Sequence, residues 1–307
     1  MARYIRIGKE TVFDTSVAGV YDIAGIGDSL KLNQGFIRSR TVDFRDLRRS
    51  VAGPKVVEGG WEQYVNFLNI GLILKALMGS EAVTNPGAGA AYLHTFTPNA
   101  LGSLSSLTVR VGLHDVTEKI VTGYGVDSVK FESSPEDYLK ASISGVGADE
   151  TTGTVATSPS FDSQAYATIT NTFTLGGTAA TPEKFNLTIK NNLKSDHHII
   201  TSRSLPRLEA GEFDVSGEMD IRFTSGTHMN DFLNATRREI IAKWQGALIA
   251  GTEYNALTLT VDNIEYDVDD AYVDKQERIV EGLKFTAVKG TDAVLTVALE
   301  NTDTAAY

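Results

Sequence analysis

The clearest pattern along the chain is an alternation of apolar and polar residues from Glu212 to Phe223. Large apolar residues and one glycine take the odd positions, whereas charged residues and a serine take the even positions. Successive side chains of a β-strand point to opposite faces, so a period of two predicts a strand with one buried face. This segment is the strongest single strand prediction in the sequence.

Shorter segments of the same kind precede and follow it. In the first half of the chain we predict strands at 56–65, 92–97, 107–113, 126–131 and 139–143. In the second half we predict strands at 166–175, 185–190, 257–261, 279–287 and 293–299. Both halves are therefore mainly β.

Two segments have helical spacing instead. Apolar residues recur at a period near 3.6 from Ile70 to Met78, and Gly79 is a natural helix stop. A second helix is predicted from about His228 to Trp244, with Thr227 as N-cap and Gly246 as stop. Its expected inner stripe is Met229, Phe232, Leu233, Thr236, Ile240 and Ile241.

The first fifty residues show little regular pattern beyond a strand or hairpin within 12–26. The segment 38–55 is basic, and we predict a long charged loop there, disordered in the free subunit. A solvated surface loop without a partner is the alternative. Its basic residues are Arg38, Arg40, Arg45, Arg48, Arg49 and Lys55.

Residues 145–163 are rich in Gly, Thr, Ser and Asp and form the best candidate linker. We therefore predict two domains, 1–155 and 156–307, each large enough for its own core. The first domain includes the N-terminal segment and the basic loop.

The two halves resemble each other in order and spacing. Segment 57–61 matches 215–219, 107–111 matches 257–261, and 126–131 matches 280–285, with a predicted helix after the first match in each half. Offsets between 150 and 158 follow from this numbering, and their near constancy predicts an internal duplication.

Composition narrows the class of protein. The chain has 307 residues, 42% of them hydrophobic, no cysteine and a formal net charge of −11. No apolar run is long enough for a membrane helix, and we expect neither a secretion signal nor a membrane partner. The absence of cysteine removes disulfides and thiolate chemistry, and the acidic balance argues against a protein that grips nucleic acid.

No motif for catalysis is present, so we expect no enzyme, no cofactor and no metal. His197 and His198 are adjacent, and on a strand they would point to opposite faces and share no ion. The acidic stretch 262–270 lacks the glycine and glutamate spacing of a calcium loop. Trp61 and Trp244 lie on predicted inner faces, where core filling is the expectation and a binding groove the alternative.

Two further sets of segments carry a family resemblance: YLHTFTP, SLSSLTVRV and GVDSVKFESSPEDYLKASISGVG in the first half, and FNLTIKNN, LTLTV and GLKF in the second. In order and spacing, about residues 50–300 resemble the tail tube proteins of long-tailed bacteriophages. The resemblance implies two tandem β-sandwich or partly closed β-barrel domains, each with one flanking helix.

The resemblance also implies a structural virion protein, assembled in the host cytoplasm and located in the phage tail. Its partners would be copies of itself, other tail proteins and double-stranded DNA that passes through the tube without specific binding. Two fused copies of the fold imply three chains per ring, stacked into a tube. The alternative is a two-domain β-sandwich binding module, such as a tail-tip or adhesin-like protein.

Opposite charges offer a way for rings to stack. The arginines at 38, 40, 45, 48 and 49 have the chemistry of an arm, because guanidinium groups pair well with carboxylates. We predict that this arm reaches an acidic loop on the adjacent ring. The acidic partners would be Asp262, Glu265, Asp267, Asp269 and Asp270.

Overall fold

The computed structural model describes residues 4–40, 46–47, 49–87, 89–99, 104–114, 116–155, 172–274 and 278–307. Over these residues the fold is mainly β, as predicted, with two short helices. The helices are α1 (Ile70–Met78) and α2 (Thr227–Leu233). The strands, in chain order, are β1 (Ile5–Lys9), β2 (Tyr21–Ile23), β3 (Gly25–Asp28), β4 (Lys31–Ser39), β5 (Arg49–Tyr64), β6 (Gly79–Thr84), β7 (Tyr92–Pro98), β8 (Leu107–Leu113), β9 (Thr117–Ser133), β10 (Lys140–Gly147), β11 (Asp149–Gly153), β12 (Thr172–Leu175), β13 (Thr178–Ala179), β14 (Pro182–Lys190), β15 (Asp214–Arg222), β16 (Arg238–Ala250), β17 (Glu253–Asp274), β18 (Arg278–Ala287) and β19 (Leu295–Asn301).

Eight strands form the central sheet of the molecule, and all its pairings are antiparallel. Their spatial order is β4, β5, β10, β9, β14, β15, β18, β17. The first four strands come from the first half of the chain and the last four from the second half. β3 continues the line of β4 along the other end of β5.

The long strands β9 and β17 leave the central sheet and continue into outer layers. The N-terminal part of β9 lies between β8 and β11, and β8 continues through β1 to β2. The N-terminal part of β17 lies between β16 and β19, which continue to β12 and to β7, respectively. Each half therefore packs an outer layer on its part of the central sheet.

One face of the central sheet supplies the core. A row of facing residues crosses it from Trp61 through Ile143, Val129 and Ile189 to Val215. Buried side chains from both halves form one continuous cluster. Trp61 and Trp244 are only 3% and 2% exposed, which confirms them as core residues.

The two halves share one pairing pattern. In the first half β10 lies between β5 and β9, and in the second half β18 lies between β15 and β17. This pattern equates β8 with β16, β9 with β17 and β10 with β18. The sequence match of 57–61 with 215–219 agrees with it, because these residues lie in β5 and β15.

The other two sequence matches are displaced by one strand, since they place β8 against β17 and β9 against β18. Neighbouring strands with the same alternation cannot be told apart by pattern alone. An origin of the halves by duplication, and the division of the chain at residue 155, both stay predictions.

The first predicted helix is confirmed. α1 ends at Gly79, whose φ of 80° lies in the left-handed region that glycine adopts easily, and the Gly79 amide donates to the Lys75 carbonyl. Eight of its nine residues are buried, and the exception is Lys75.

The second predicted helix is wrong in length and in facing. α2 ends at Leu233, its N-cap is Gly226 rather than Thr227, and β16 occupies most of the remainder. Ile240, Ala242 and Trp244 also fit a period of two, and pairing with β12 and β17 buries them. The predicted inner residues Met229, Phe232 and Leu233 are 43%, 39% and 71% exposed.

Three irregular segments of the prediction contain strands. The N-terminal region forms β1 to β4, which pair with strands distant in sequence as well as with each other. Of the predicted basic loop 38–55, residues 38–39 end β4 and residues 49–55 begin β5, whereas 41–45 and 48 lie outside the described residues. The predicted linker begins inside β10 and continues as β11, and its later part, 156–163, lies outside the described residues, as do residues 166–171 of a predicted strand.

Candidate assembly surface

The polar face of the central sheet carries charges of both signs. One row of facing residues runs from Lys140 through Glu132, Asn186 and Glu218 to Lys284. Facing side chains on neighbouring strands lie close together, so each charge has an opposite charge or a polar group nearby. This row therefore carries two positive and two negative charges, although the chain as a whole is acidic.

Hydrogen bonds and ion pairs hold this face in place. Lys130 Nζ lies 2.6 Å from Glu132 Oε1, and Asn186 Nδ2 donates to Glu218 Oε1 at 2.6 Å. Ser128 and Ser144 share a hydrogen bond of 2.9 Å. The charge of Lys130 is thus partly neutralised by a carboxylate of the same sheet.

The two outer edges of the central sheet are open. Among the described residues, β4 pairs only with β5, and the C-terminal part of β17, residues 265–274, pairs only with β18. An open edge presents unpaired amide and carbonyl groups to any other strand that reaches it. These two outer edges lie at opposite sides of the sheet.

The halves meet where β9 pairs with β14, a contact that we call the inner junction. Ile189 faces Val129 and Lys190 faces Ser128. Beyond the end of β14 the contact continues through Asp127, whose carbonyl accepts a hydrogen bond from the Asn191 amide at 2.7 Å. The Asp127 carboxylate accepts another from the Leu193 amide at 2.6 Å.

The connection from β14 to β15, residues 191–213, lies on the first half. Arg203 binds the β5 backbone twice: its carbonyl accepts from the Lys55 amide at 2.8 Å, and its Nε donates to the Gly53 carbonyl at 2.9 Å. Leu205 is buried in a small apolar cluster with Val146 and Ala148. The inner junction is thus both paired along its edge and covered by apolar contacts.

Two of the predicted arginines lie on hairpin β4/β5. Arg38 is in β4, and Arg49 is the first residue of β5. Together with Arg40 they are exposed, whereas Arg45 and Arg48 lie outside the described residues. The hairpin is also apolar, since Phe36, Ile37 and Val51 are exposed.

The predicted acidic loop is wrong, because its residues belong to β17. Glu265 forms an ion pair with Arg237 at 2.6 Å, and Asp262 accepts a hydrogen bond from Asn263. Asp267 is exposed and accepts from Thr286 Oγ1 at 2.7 Å. Asp269 and Asp270 pair along the backbone with residues of β18.

Among the described residues of one chain, no ion pair links the predicted carboxylates within 262–270 to the predicted arginines within 38–49. The prediction that they meet between copies remains.

The described residues contain no group of three or more His, Asp or Glu residues suited to a metal ion. None of the helices found in them has the length and apolar content to span a membrane. His197 Nε2 lies 3.0 Å from the Arg207 carbonyl, which gives that ring a structural partner.

Two ionisable groups with shifted pKa values lie away from the polar face. Burial and a hydrogen bond with Glu253 raise the pKa of Glu300 to about 7. Burial lowers the pKa of His94, but hydrogen bonds to Glu81 and to the Asp303 carbonyl outweigh it, so the net shift is upward. We therefore expect the titration of both groups to change the stability of the fold and not the charge of the polar face.

Sequence reasoning missed Asp127 and the connection 191–213 as parts of a contact between the halves. Asp127 occupies a β-bulge, since its neighbours Val126 and Ser128 face Gly145 and Ser144, which are consecutive. The sequence shows only an aspartate inside an otherwise regular strand. Such an interruption is the one signal that a bulge leaves in a sequence.

Comparison with known proteins agrees with this architecture. A search of curated proteins found no match. A family model described as phage tail tube protein matches residues 2–295, which is nearly the whole chain. The chain belongs to the phage tail tube protein family and is a structural protein of the virion tail.

Proposed function

We propose that three copies of this chain form a ring, and that stacked rings form the tube through which the phage genome passes. The observation that carries this proposal is the central sheet, to which each half contributes four strands and which ends in two open edges. A chain with two equivalent units provides two of six positions in a closed ring. Three copies then complete the ring.

The inner junction is our model for the contact between copies. Inside the chain, the open side of the first four strands, β9, receives the first strand of the second four, β14. Between copies, β17 would receive β4 of the next chain in the same antiparallel way. One interface repeated head to tail closes into a ring when its rotation divides a full turn.

The polar face of the central sheet is our candidate for the channel wall. DNA is held electrostatically when lysine and arginine release counterions from its phosphates. On this face Lys130 is paired with Glu132, and Lys284 faces Glu218. A wall of this kind lets DNA pass with little capture.

We keep the contact between rings as a separate proposal. Arg38 and Arg49 are exposed where β4 ends and β5 begins, and they can pair with carboxylates such as Asp262 on a neighbouring ring. Tail assembly in the host cytoplasm, together with other tail proteins, completes the proposed function.

Electron microscopy of purified, concentrated protein tests the ring. We expect hollow rings or tubes whose end-on averages contain three chains, seen as six similar lobes with threefold symmetry. Six chains around one ring would contradict the proposal, because the second half would then be decoration. Isolated particles at every concentration would contradict self-assembly itself.

A further inference from the structure

The connection 191–213 and hairpin β4/β5 occupy equivalent places in the two halves. Val57 of β5 faces Leu32, and Val215 of β15 faces Ile189, so Leu32 corresponds to Ile189. The glycines agree with this assignment: a Cβ on Gly53 would lie 3.2 Å from the Gly35 carbonyl oxygen, and a Cβ on Gly211 would lie 2.6 Å from that of Asn192. Counting from Leu32, Phe36 then corresponds to Leu193.

The surfaces that receive these segments also correspond. Trp61 of β5 faces Ile143, and Met219 of β15 faces Leu283, which makes Val129 equivalent to Asp269. Two residues earlier lie Asp127 and Asp267. Each is the extra residue of a β-bulge, because Tyr266 and Val268 face the consecutive residues Phe285 and Lys284.

The two bulges differ in what they bind. Asp127 accepts the Asn191 and Leu193 amides of the incoming segment. Asp267 is exposed, and within the described chain its Oδ2 accepts from the neighbouring Thr286 hydroxyl. A bulge aspartate therefore anchors the incoming segment at the inner junction, and an equivalent aspartate stands exposed at the outer edge.

The apolar contacts differ in the same way. Leu193 is partly buried against the cluster of Val146, Ala148 and Leu205, whereas Phe36 is 57% exposed. The surface next to Asp267 has a similar hydrogen bond, shifted by one residue on the long strand: the Val288 amide donates to the Asn263 carbonyl, and in the first half the Ala148 amide donates to the Thr122 carbonyl. Phe36 thus has an equivalent site on another copy, beside Thr286 and Val288.

We propose that Asp267 is a docking site for hairpin β4/β5 of the next copy in the ring. Its carboxylate accepts the Phe36 amide of that copy, its carbonyl accepts the Gln34 amide, and the Phe36 ring packs beside Val288. This inference rests on the proposed ring and names the residues of its interface. In this arrangement Gln34 and Phe36 make contacts within one ring, and only the arginine end of hairpin β4/β5 is left for contacts between rings.

Sedimentation velocity of the full chain over a wide concentration range tests the docking. A hydrogen bond to a charged acceptor contributes enough that Asp267→Ala should weaken association about tenfold to a hundredfold per interface. Phe36→Ser should weaken it by a similar factor because a large apolar contact is lost. In the double variant the fold-loss of association should be smaller than the product of the two single fold-losses, because both residues act in one contact.

Matched controls separate this effect from misfolding. Asp196→Ala and Val116→Ser change an exposed aspartate and an exposed apolar residue outside the proposed contact, and both should associate like the wild type. All four single variants should melt like the wild-type monomer. If the wild type associates and Asp267→Ala and Phe36→Ser associate equally well, the docking is overturned while the ring stands. A wild type that never associates contradicts both.

Discussion

The inner junction and the outer edges of the central sheet share one order of strand pairing, but within the described chain only the inner junction is filled. At the inner junction β14 pairs with β9, Asp127 binds two amides, and Leu205 is buried on the first half. At the outer edges the equivalent strands β4 and β17 lack such a neighbour in the described chain, and Phe36 is exposed. The inner junction is thus the model, within one chain, for the contact that we propose between copies.

This comparison separates folding from assembly. Residues at the inner junction stabilise the chain itself, so their substitution should lower its melting temperature. Equivalent residues at the outer edges, such as Phe36 and Asp267, are exposed in the isolated chain, so their substitution should change association far more than stability.

The largest expected effect on folding comes from Leu205→Ala. This side chain is 2% exposed in its cluster with Val146 and Ala148, and removing it leaves a cavity. We expect the free energy of unfolding to fall by about 2–5 kcal/mol, measured by chemical denaturation. Ile200→Ala, which alters a fully exposed residue of the same connection, should change it by less than about 0.5 kcal/mol. Equal losses in the two variants would show that the connection does not pack on the first half.

A smaller and more selective effect is expected at the two bulges. Asp127→Ala leaves the Leu193 amide without its acceptor, and we expect a loss of about 1–3 kcal/mol in unfolding free energy. Asp267→Ala should leave the unfolding of the monomer unchanged within about 0.5 kcal/mol, because that residue is exposed. If both variants lost a similar unfolding free energy, Asp127 and Asp267 would not differ as a filled and an open site.

Periodicity predicted most strands and α1, because burial on one face leaves a mark in the sequence itself. It extended α2 to Trp244, because Ile240 and Ile241 fit a helical stripe while Ile240, Ala242 and Trp244 fit a strand. Only pairing with β12 and β17, which lie far away in sequence, decides between the two.

The candidate site was less accessible to sequence reasoning. Arg38 and Asp267 were selected for their charge, and charge alone does not reveal that one lies on a hairpin and the other in a bulge. The roles proposed for Asp127 and Asp267 depend on which strands are neighbours. The two aspartates can be recognised as equivalent from the registers of the paired strands, but not from their positions in the sequence.

The smallest expected effect concerns the outer layers, where a buried carboxylate of the first half and a partly buried one of the second half have different partners. Glu118 in the first half is bound by Tyr4 and Arg110, whereas Glu300 in the second half is placed beside Glu253. The pKa of Glu300 is raised to about 7 in the folded chain from an ordinary value of 4.5, so the folded state binds a proton more tightly than the unfolded state. This group therefore stabilises the fold at low pH and loses that contribution as the pH rises towards 7.

Glu300→Gln should remove this dependence. The melting temperature of the variant relative to the wild type should rise between pH 5 and pH 8, as measured by calorimetry in matched buffers. Glu212→Gln, a change at an exposed carboxylate, should show no such trend. A constant difference between Glu300→Gln and the wild type would mean that Glu300 is ionised throughout.

Disulfide trapping across the outer edges tests the central claim most directly, because the chain has no cysteine of its own. By equivalence with Lys190 and Ser128, which face each other at the inner junction, Asn33 of one copy should face Val268 of the next. Asn33→Cys combined with Val268→Cys should give, on oxidation, covalent dimers and trimers and no larger species, since three copies close the ring. Asn33→Cys combined with Asp274→Cys, about six residues out of register and thus roughly 20 Å away, should stay monomeric. Covalent ladders that continue to six chains, or equal trapping of the out-of-register pair, would contradict the account.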